Sequence, residues 1–394
     1  MKSLHLKPGR DKSVRRRHPW IFSGAVERVD GEPASGETVL VKSAGQPLAV
    51  AAWSPKSQIC ARVWSFDCSV FVDKEFFRGK MEQAVALRGS LPASRHCNAM
   101  RLVHGESDGL PGLVVDRYDD VLVAQFLSAG AEHWRETILD LLVEVTNCAS
   151  VYERSDADVR KLEGLESRAG FARGNREAKR CPIVEHGLNF RVDVEAGQKT
   201  GFFLDQRDNR LLVRRLAKGR TVLNCFAFTG GFSVAAALGG ATSVFSVDQD
   251  ADAIALAREN FTRNGLVPEK HDFLAADVFE LLGSFKREGR SFDLVVLDPP
   301  AFAKSQRAVD AAIAGYASLN RQALALVRKG GLVCTASCSA RVSPEAFFEA
   351  VKEAGYKAGV DLALVEERYQ PADHPIRMQF REGRYLKFLV LEVR

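Results

Sequence analysis

From residue 183 onward the chain alternates short apolar runs with amphipathic segments, and this alternation constrains the fold more than any other feature. Apolar runs at 221–226, 243–247, 272–275, 292–298 and 331–336 predict strands. Between them, 232–238, 251–264, 278–282, 311–327 and 344–354 carry apolar residues at helical spacing. Segments 365–368 and 385–393 predict two closing strands. Strict alternation of this kind predicts an α/β domain built on a doubly wound, mostly parallel sheet. Such a sheet binds ligands in the crevice beyond the carboxyl ends of its strands. The residues at those ends therefore matter most for function.

Upstream, the pattern differs. Predicted strands at 38–42, 47–53 and 59–64, separated by Asp30-Gly31, Ser35-Gly36 and Ala44-Gly45, point to a small β-rich domain. Residues 72–90 predict a linking helix. A small α/β unit is expected next. It has strands at 100–105, 112–118, 121–126 and 151–154, a hairpin turn at Asp119-Asp120, and helices at 134–145 and 156–163. Residues 165–180, rich in Gly, Arg, Glu and Ala, read as a loop. A hairpin around His186-Gly187-Leu188 opens the alternating region. The expected domains are 1–75, 76–182 and 183–394.

Composition excludes several classes. No apolar run reaches the roughly 18 residues of a membrane span, and the N-terminus shows no secretory signal. The eight cysteines are scattered and form no CxxC pair, so neither a disulfide framework nor a zinc site is expected, and no metal is assigned. Reduced thiols and a cytoplasmic location follow. The net charge of +5 says little alone, but Arg15, Arg16 and Arg17 precede Trp20 and Phe22. Cations beside aromatics suit a phosphate backbone with stackable bases. A solvated basic surface with Trp20 in a core is the alternative.

The first strand of the alternating region ends in Asn224-Cys225-Phe226-Ala227-Phe228-Thr229-Gly230-Gly231. Adjacent glycines permit a sharp turn and close approach of a ligand to the main chain. The sequence is neither GxGxxG nor a P-loop, which argues against a dehydrogenase. Asp248, Asp277 and Asp298 follow at the ends of successive strands. A carboxylate at the second strand tip can accept from ribose hydroxyls, and one at the third from an adenine amino group. Carboxylates rather than phosphate-binding bases suit S-adenosylmethionine, which has no phosphate and carries a sulfonium. The fifth strand leads to Ser337-Cys338-Ser339. A thiolate there could add to C6 of a pyrimidine and make C5 nucleophilic toward a methyl donor. Asp298, on the same edge, is the candidate partner for the base. Cys225 and Cys334 fall within strands and read as core.

Together these residues resemble the bacterial 23S rRNA 5-methylcytosine methyltransferases, which join a PUA domain to a class I methyltransferase domain. The resemblance covers nearly the whole chain. It rests on Arg17-His18-Pro19-Trp20-Ile21-Phe22-Ser23-Gly24, on residues 101–113, and on Gly197-Gln198-Lys199-Thr200-Gly201-Phe202-Phe203-Leu204-Asp205-Gln206-Arg207. It also rests on residues 224–233, Asp298-Pro299-Pro300-Ala301-Phe302, Ser337-Cys338-Ser339 and Ala372-Asp373-His374-Pro375. It implies a PUA-like β-barrel, a central α/β domain and a Rossmann-like catalytic domain. Gln198, Phe203, Asp205, Gln206 and Arg207 would border the pocket. Asn224, Phe226 and Gly230 would line S-adenosylmethionine, with Asp248 on the ribose, Asp277 on the adenine and Asp298 facing methionine and base. Cys338 would be the nucleophile, and Arg15, Arg16, Arg17 and Trp20 would serve RNA, most directly 23S rRNA. The family is compatible with a homodimer and with no membrane. Many RNA 5-methylcytosine enzymes carry a second cysteine after the Asp-Pro, where this chain has Pro300-Ala301. The base that removes the C5 proton is not singled out. Methylation of another base such as guanine, and a non-catalytic RNA-binding or ribosome-assembly role, are the competing readings.

Overall fold

The computed structural model describes residues 2–174, 179–303 and 306–394. They divide into two compact units. One comprises Met1–Val184, Val192–Leu204 and Ala372–Gly383, and the other Glu185–Arg191, Asp205–Pro371 and Arg384–Arg394.

The first unit opens with a six-stranded sheet in the order Trp20–Ile21, Ala61–Ser65, Gln46–Trp53, Thr38–Ser43, Ser3–Leu6, Val26–Asp30. Its strands share one apolar cluster that includes Leu4, Ile21, Val39, Val41, Ala51 and Val63. The helix Lys74–Ser90 follows, capped by Asp73, whose carboxylate accepts from Phe76 N at 2.9 Å. It buries Phe77 and Met81 against a five-stranded sheet ordered Arg168–Arg173, Ser150–Ser155, Val121–Phe126, Leu113–Tyr118, Ala99–His104. The strand Arg168–Arg173 corrects the expected loop at 165–180. It is an edge strand held by antiparallel pairing to Ser150–Ser155, with the Phe171 ring edge-on to Tyr152. Its Arg- and Gly-rich composition carries no alternating pattern, because none of its residues is fully buried and only Ala172 packs against the core cluster. Residues 175–178 of the same expected loop lie outside the described residues.

Buried ion pairs stitch this unit together. Arg88, fully buried, makes a two-pronged pair with Asp108 at 2.7 and 2.8 Å and donates to the Asp373 carbonyl at 3.0 Å. The Asp373 carboxylate accepts from Arg101 N at 3.1 Å. The Asp373-His374 motif is therefore structural, returning the chain to the first unit.

The second unit holds a seven-stranded sheet. Its strands are β1 (Thr221–Cys225), β2 (Ser243–Asp248), β3 (Asp272–Ala275), β4 (Phe292–Leu297), β5 (Val327–Ser337), β6 (Leu362–Arg368) and β7 (Lys387–Val393). Its helices are α1 (Arg207–Leu216), α2 (Gly231–Leu238), α3 (Ala251–Arg263), α4 (Val278–Arg287), α5 (Val309–Leu324) and α6 (Pro344–Ala358). The order is β3-β2-β1-β4-β5-β7-β6. Strands β1 to β5 are parallel, and β7 runs antiparallel to both β5 and β6. The central strands are covered on both faces, and Leu223, Val295 and Val333 are fully buried. This is why they read as apolar runs rather than alternating ones. The order reverses between β1 and β4, so the ligand crevice opens beyond Cys225 and Leu297. Helix α1 was not anticipated. Its buried face carries Arg207, Asn209 and Arg210, and the buried Arg210 pairs with Glu185, so apolar periodicity does not mark it.

Candidate active site

Beyond β1 the chain turns sharply into α2. Phe226 (φ 59°), Phe228 (φ 47°) and Gly230 (φ 77°) all adopt the left-handed region. For a non-glycine residue this costs about 1–3 kcal/mol and persists only where the surroundings enforce it. The enforcement is visible. The Asp248 carboxylate accepts from Phe228 N at 2.8 Å, and Ala227 N donates to the Val247 carbonyl at 2.9 Å. Glycine at 230 is required twice, because a Cβ there would lie 2.9 Å from the Ala257 Cβ of α3. Behind the turn, Asn224 Nδ2 and the Ser246 hydroxyl both reach Ser233 Oγ at 2.8 Å. Asn224 Oδ1 and Thr229 Oγ1 are buried and have no hydrogen-bond partner among the described residues. Buried polar atoms are normally satisfied, so this pair marks where donors and acceptors of a ligand would complete the turn.

The acidic strand tips carry unequal structural loads. Asp248 is nearly buried, with one oxygen on Phe228 N and the other on Asp250 N at 3.1 Å, which leaves its remaining lone pairs for a ligand. Asp277 is exposed and also caps α4, accepting from Glu280 N at 3.0 Å. Asp298, half-buried past β4, accepts from Gln206 Nε2 at 2.8 Å. Gln206 in turn accepts from Asn209 Nδ2 at 2.6 Å, and both are buried. Asp205 accepts from the Tyr385 hydroxyl at 2.7 Å.

Cys338 follows β5 and is half-buried, whereas Cys225 and Cys334 are fully enclosed. Burial pushes the Cys334 thiol up to about 12 and raises Cys225 as well, so neither can supply a thiolate at neutral pH. The Cys338 Sγ lies 3.9 Å from the Pro299 carbonyl, so the thiol abuts the loop that carries Asp298. Its loop is tightly held. Ser339 Oγ meets the Tyr316 hydroxyl at 2.9 Å and accepts from Ala303 N at 3.3 Å. Lys387, buried at the start of β7, donates to the Ser339, Val342 and Tyr385 carbonyls at 2.7, 2.9 and 2.8 Å. Burial pulls Lys387 down to about 8, against an opposing pull from Cys338. Lys387 was not anticipated as a site residue. The signal available was a lone lysine opening an otherwise apolar strand. Because β1, β4 and β5 are neighbours, the strand ends that lead to the Gly230 turn, Asp298 and Cys338 span two inter-strand spacings, about 10 Å.

The other predicted residues lie in the first unit. Gln198 is exposed, and Phe203 is half-buried with the Lys199 ammonium 4.5 Å from its ring centre. Their segment is anchored there. Thr200 Oγ1 donates to Asp116 at 2.6 Å, Phe202 N donates to the Tyr118 hydroxyl at 3.1 Å, and Arg154 donates to the Gly197 carbonyl at 2.9 Å. Arg15 pairs with Asp11 at 2.6 Å, while Arg16 and Arg17 are exposed. Trp20 is half-buried, donates to Glu106 at 2.7 Å and packs edge-on to Phe380 at 4.8 Å. No helix among the described residues is long and apolar enough to cross a membrane, and those residues contain no metal-binding cluster.

Sheet order, strained turn and acidic tips place the second unit among methyltransferases that bind a nucleoside cofactor. Residues 166–378 match the S-adenosylmethionine-dependent methyltransferase family, and residues 4–66 match the PUA-like domain. The chain is 45% identical over 391 residues to ribosomal RNA large subunit methyltransferase I of Shewanella amazonensis, covering 99% of each. It is 44% identical to the protein of that name from Yersinia pseudotuberculosis, covering 98% of this chain and 97% of the relative. The chain belongs to the ribosomal RNA large subunit methyltransferase I family, and its cofactor is S-adenosylmethionine. Among solved structures, a Streptococcus mutans protein provisionally assigned as a SAM-dependent methyltransferase superposes with a TM-score of 0.86 at 25% identity, each chain fully covered. A similarly assigned methyltransferase complexed with SAH gives 0.87, also at 25% identity and full coverage.

Proposed function

We propose that this chain methylates C5 of a cytosine in large-subunit ribosomal RNA through a covalent adduct of Cys338. The observation that carries the reading is the half-exposed Cys338 thiol set against the Asp298-Pro299 loop at the cofactor edge of the sheet. Asn224, Phe226, Gly230, Asp248 and Asp277 would hold S-adenosylmethionine, and the family resemblance assigns Gln198 and Phe203 to cofactor binding as well. Bound there, the cofactor supplies an electrophilic methyl group on a sulfonium.

The protein's own groups do the rest. The Cys338 thiolate adds to C6, and the electron pair of the C5–C6 bond becomes available at C5. Asp298, held by Gln206, meets the base and stabilises the adduct. Once C5 carries its methyl group, loss of the C5 proton to a base re-forms the double bond and expels the thiolate. The Lys387 charge next to Cys338 favours the anionic sulfur. Arg15, Arg16, Arg17 and Trp20 would engage RNA from the PUA-like domain. The modules 1–75, 76–182 and 183–394 would then divide RNA capture, spacing and chemistry, in the cytoplasm where ribosomes are built.

The test is Cys338→Ala, assayed with isotope-labelled cofactor on large-subunit rRNA and by mass spectrometry of the digested nucleosides. Methyl transfer should vanish while calorimetry shows cofactor binding intact, and the wild-type product should be 5-methylcytidine. Undiminished turnover in the variant, or label in a guanine, would reject the thiol route.

A further inference from the structure

We propose that a basic cleft in the first unit, walled by Arg17, Lys80 and Arg377, anchors a backbone phosphate of the RNA. The inference rests on the RNA-substrate reading above and extends it to a site outside the catalytic sheet. The cleft has a volume of about 260 Å³, and Trp64, Phe66 and Gly109 complete its walls.

What singles it out is an excess of positive charge, three cations against one carboxylate. Elsewhere in this unit sheltered guanidiniums are matched to carboxylates: Arg62 to Glu163 at 2.7 Å, Arg88 to Asp108 at 2.7 Å, Arg101 to Asp116 at 2.8 Å and Arg135 to Glu153 at 2.6 Å. Among the described residues, no carboxylate forms an ion pair with Arg17, Lys80 or Arg377. One acid, Asp67, also lines the cleft; hydrogen bonds to its Oδ1 from Ser69 N at 2.9 Å and Ser69 Oγ at 2.6 Å favour its charged form, and it balances only one of the three cations. Burial, and then the neighbouring Arg17 charge, depress Arg377. Two like charges held together at the mouth of a cavity repel each other and raise the free energy, which an entering anion lowers.

The geometry supports the same occupant. The Arg377 guanidinium stacks over the Phe66 ring at 5.4 Å, which fixes its plane. The Lys80 side chain runs beside Gly109 (φ 73°), whose Cβ position would lie in ordinary contact with it, 3.5 Å from the ammonium nitrogen. Exposed Arg15 and Arg16 lie next in the chain to Arg17, where adjoining phosphates of one strand could continue. Cations fixed in this way position a nucleic acid without reading its sequence.

Full-length wild type, Lys80→Gln, Arg17→Gln and Arg377→Gln would be titrated with a large-subunit rRNA transcript and with polyuridylate across a salt series. Each variant should weaken binding to both RNAs alike. Each should also lower the salt slope by about one phosphate contact, roughly 0.7 to 1 in log–log units. Lys80→Arg should restore both, and cofactor affinity and unfolding midpoint should not move. Wild-type affinity and slope in all three glutamine variants would overturn the cleft while leaving the RNA reading intact. A wild-type chain that neither binds nor methylates rRNA would overturn the RNA reading, and the cleft with it.

Discussion

Replacing Gln206 by Leu removes the middle of a buried relay while keeping the side chain's bulk. In the native relay, Asn209 donates to Gln206 at 2.6 Å and Gln206 donates to Asp298 at 2.8 Å. Gln206 is 2% exposed, so water cannot replace it freely. A hydrogen bond to a charged acceptor contributes about 1.5–3 kcal/mol. If Asp298 acts at the transition state, losing that bond should lower kcat/KM by about 10- to 150-fold, at 1.4 kcal/mol per decade. Leaving Asn209 Nδ2 unpaired should also cost about 1–3 kcal/mol of stability. The assay is steady-state methyl transfer to rRNA with cofactor affinity measured by calorimetry and unfolding followed in urea. The double variant with Asn209→Ala adds a check: because Asn209 acts through Gln206, it should be no slower than Gln206→Leu alone. A kcat/KM within about twofold of wild type, in a chain where Asp298→Asn is inactive, would refute the relay.

Gly230→Ala should weaken cofactor binding about tenfold or more, since a left-handed alanine costs about 1–2 kcal/mol and its Cβ presses on Ala257; calorimetry reads this directly, and native affinity would show that the turn is not the cofactor's cradle. Lys387 loses its proton as the pH rises through about 8, leaving a neutral amine with two N–H donors for the three carbonyls it bridges and so loosening the Cys338 loop. Turnover should therefore decline above that pH, and Lys387→Arg, which stays charged, should move the decline upward; superimposable pH–rate profiles would rule this out. Arg88→Met should destabilise the first unit by about 3–5 kcal/mol, because Asp108 is left as a buried unpaired carboxylate. Denaturant unfolding measures that loss, and an unchanged midpoint would contradict the ion-pair account.

Two acids of the site carry structural loads beside the roles proposed for them. Asp248 holds the strained turn through Phe228 N and is also the acid proposed to take the ribose. Asp277 caps α4 and is also the acid proposed to take the adenine. Substituting either one therefore perturbs fold and ligand together, which makes Asn224 and Thr229, with their unpartnered oxygens, cleaner probes of cofactor contact.

The alternating apolar runs determined the parallel sheet on their own, because strands buried on both faces have no polar side to blur the pattern. The glycine pair, the Asp-Pro-Pro tip and Cys338 were equally legible, since each sits at a strand end whose position local sequence sets. The edge strand Arg168–Arg173 was not legible, because it exists only through pairing with Ser150–Ser155. Helix α1 was hidden because its buried face is polar and is satisfied by the distant Glu185. Tertiary structure alone decided that Lys387 clamps the Cys338 loop, that Gln206 grips Asp298, and that Asp373 belongs to the first unit. It alone gathered Arg17, Lys80 and Arg377 around one cleft. Those partners are far apart along the chain, and a single sequence records which residues are charged or polar but not which of them folding brings together.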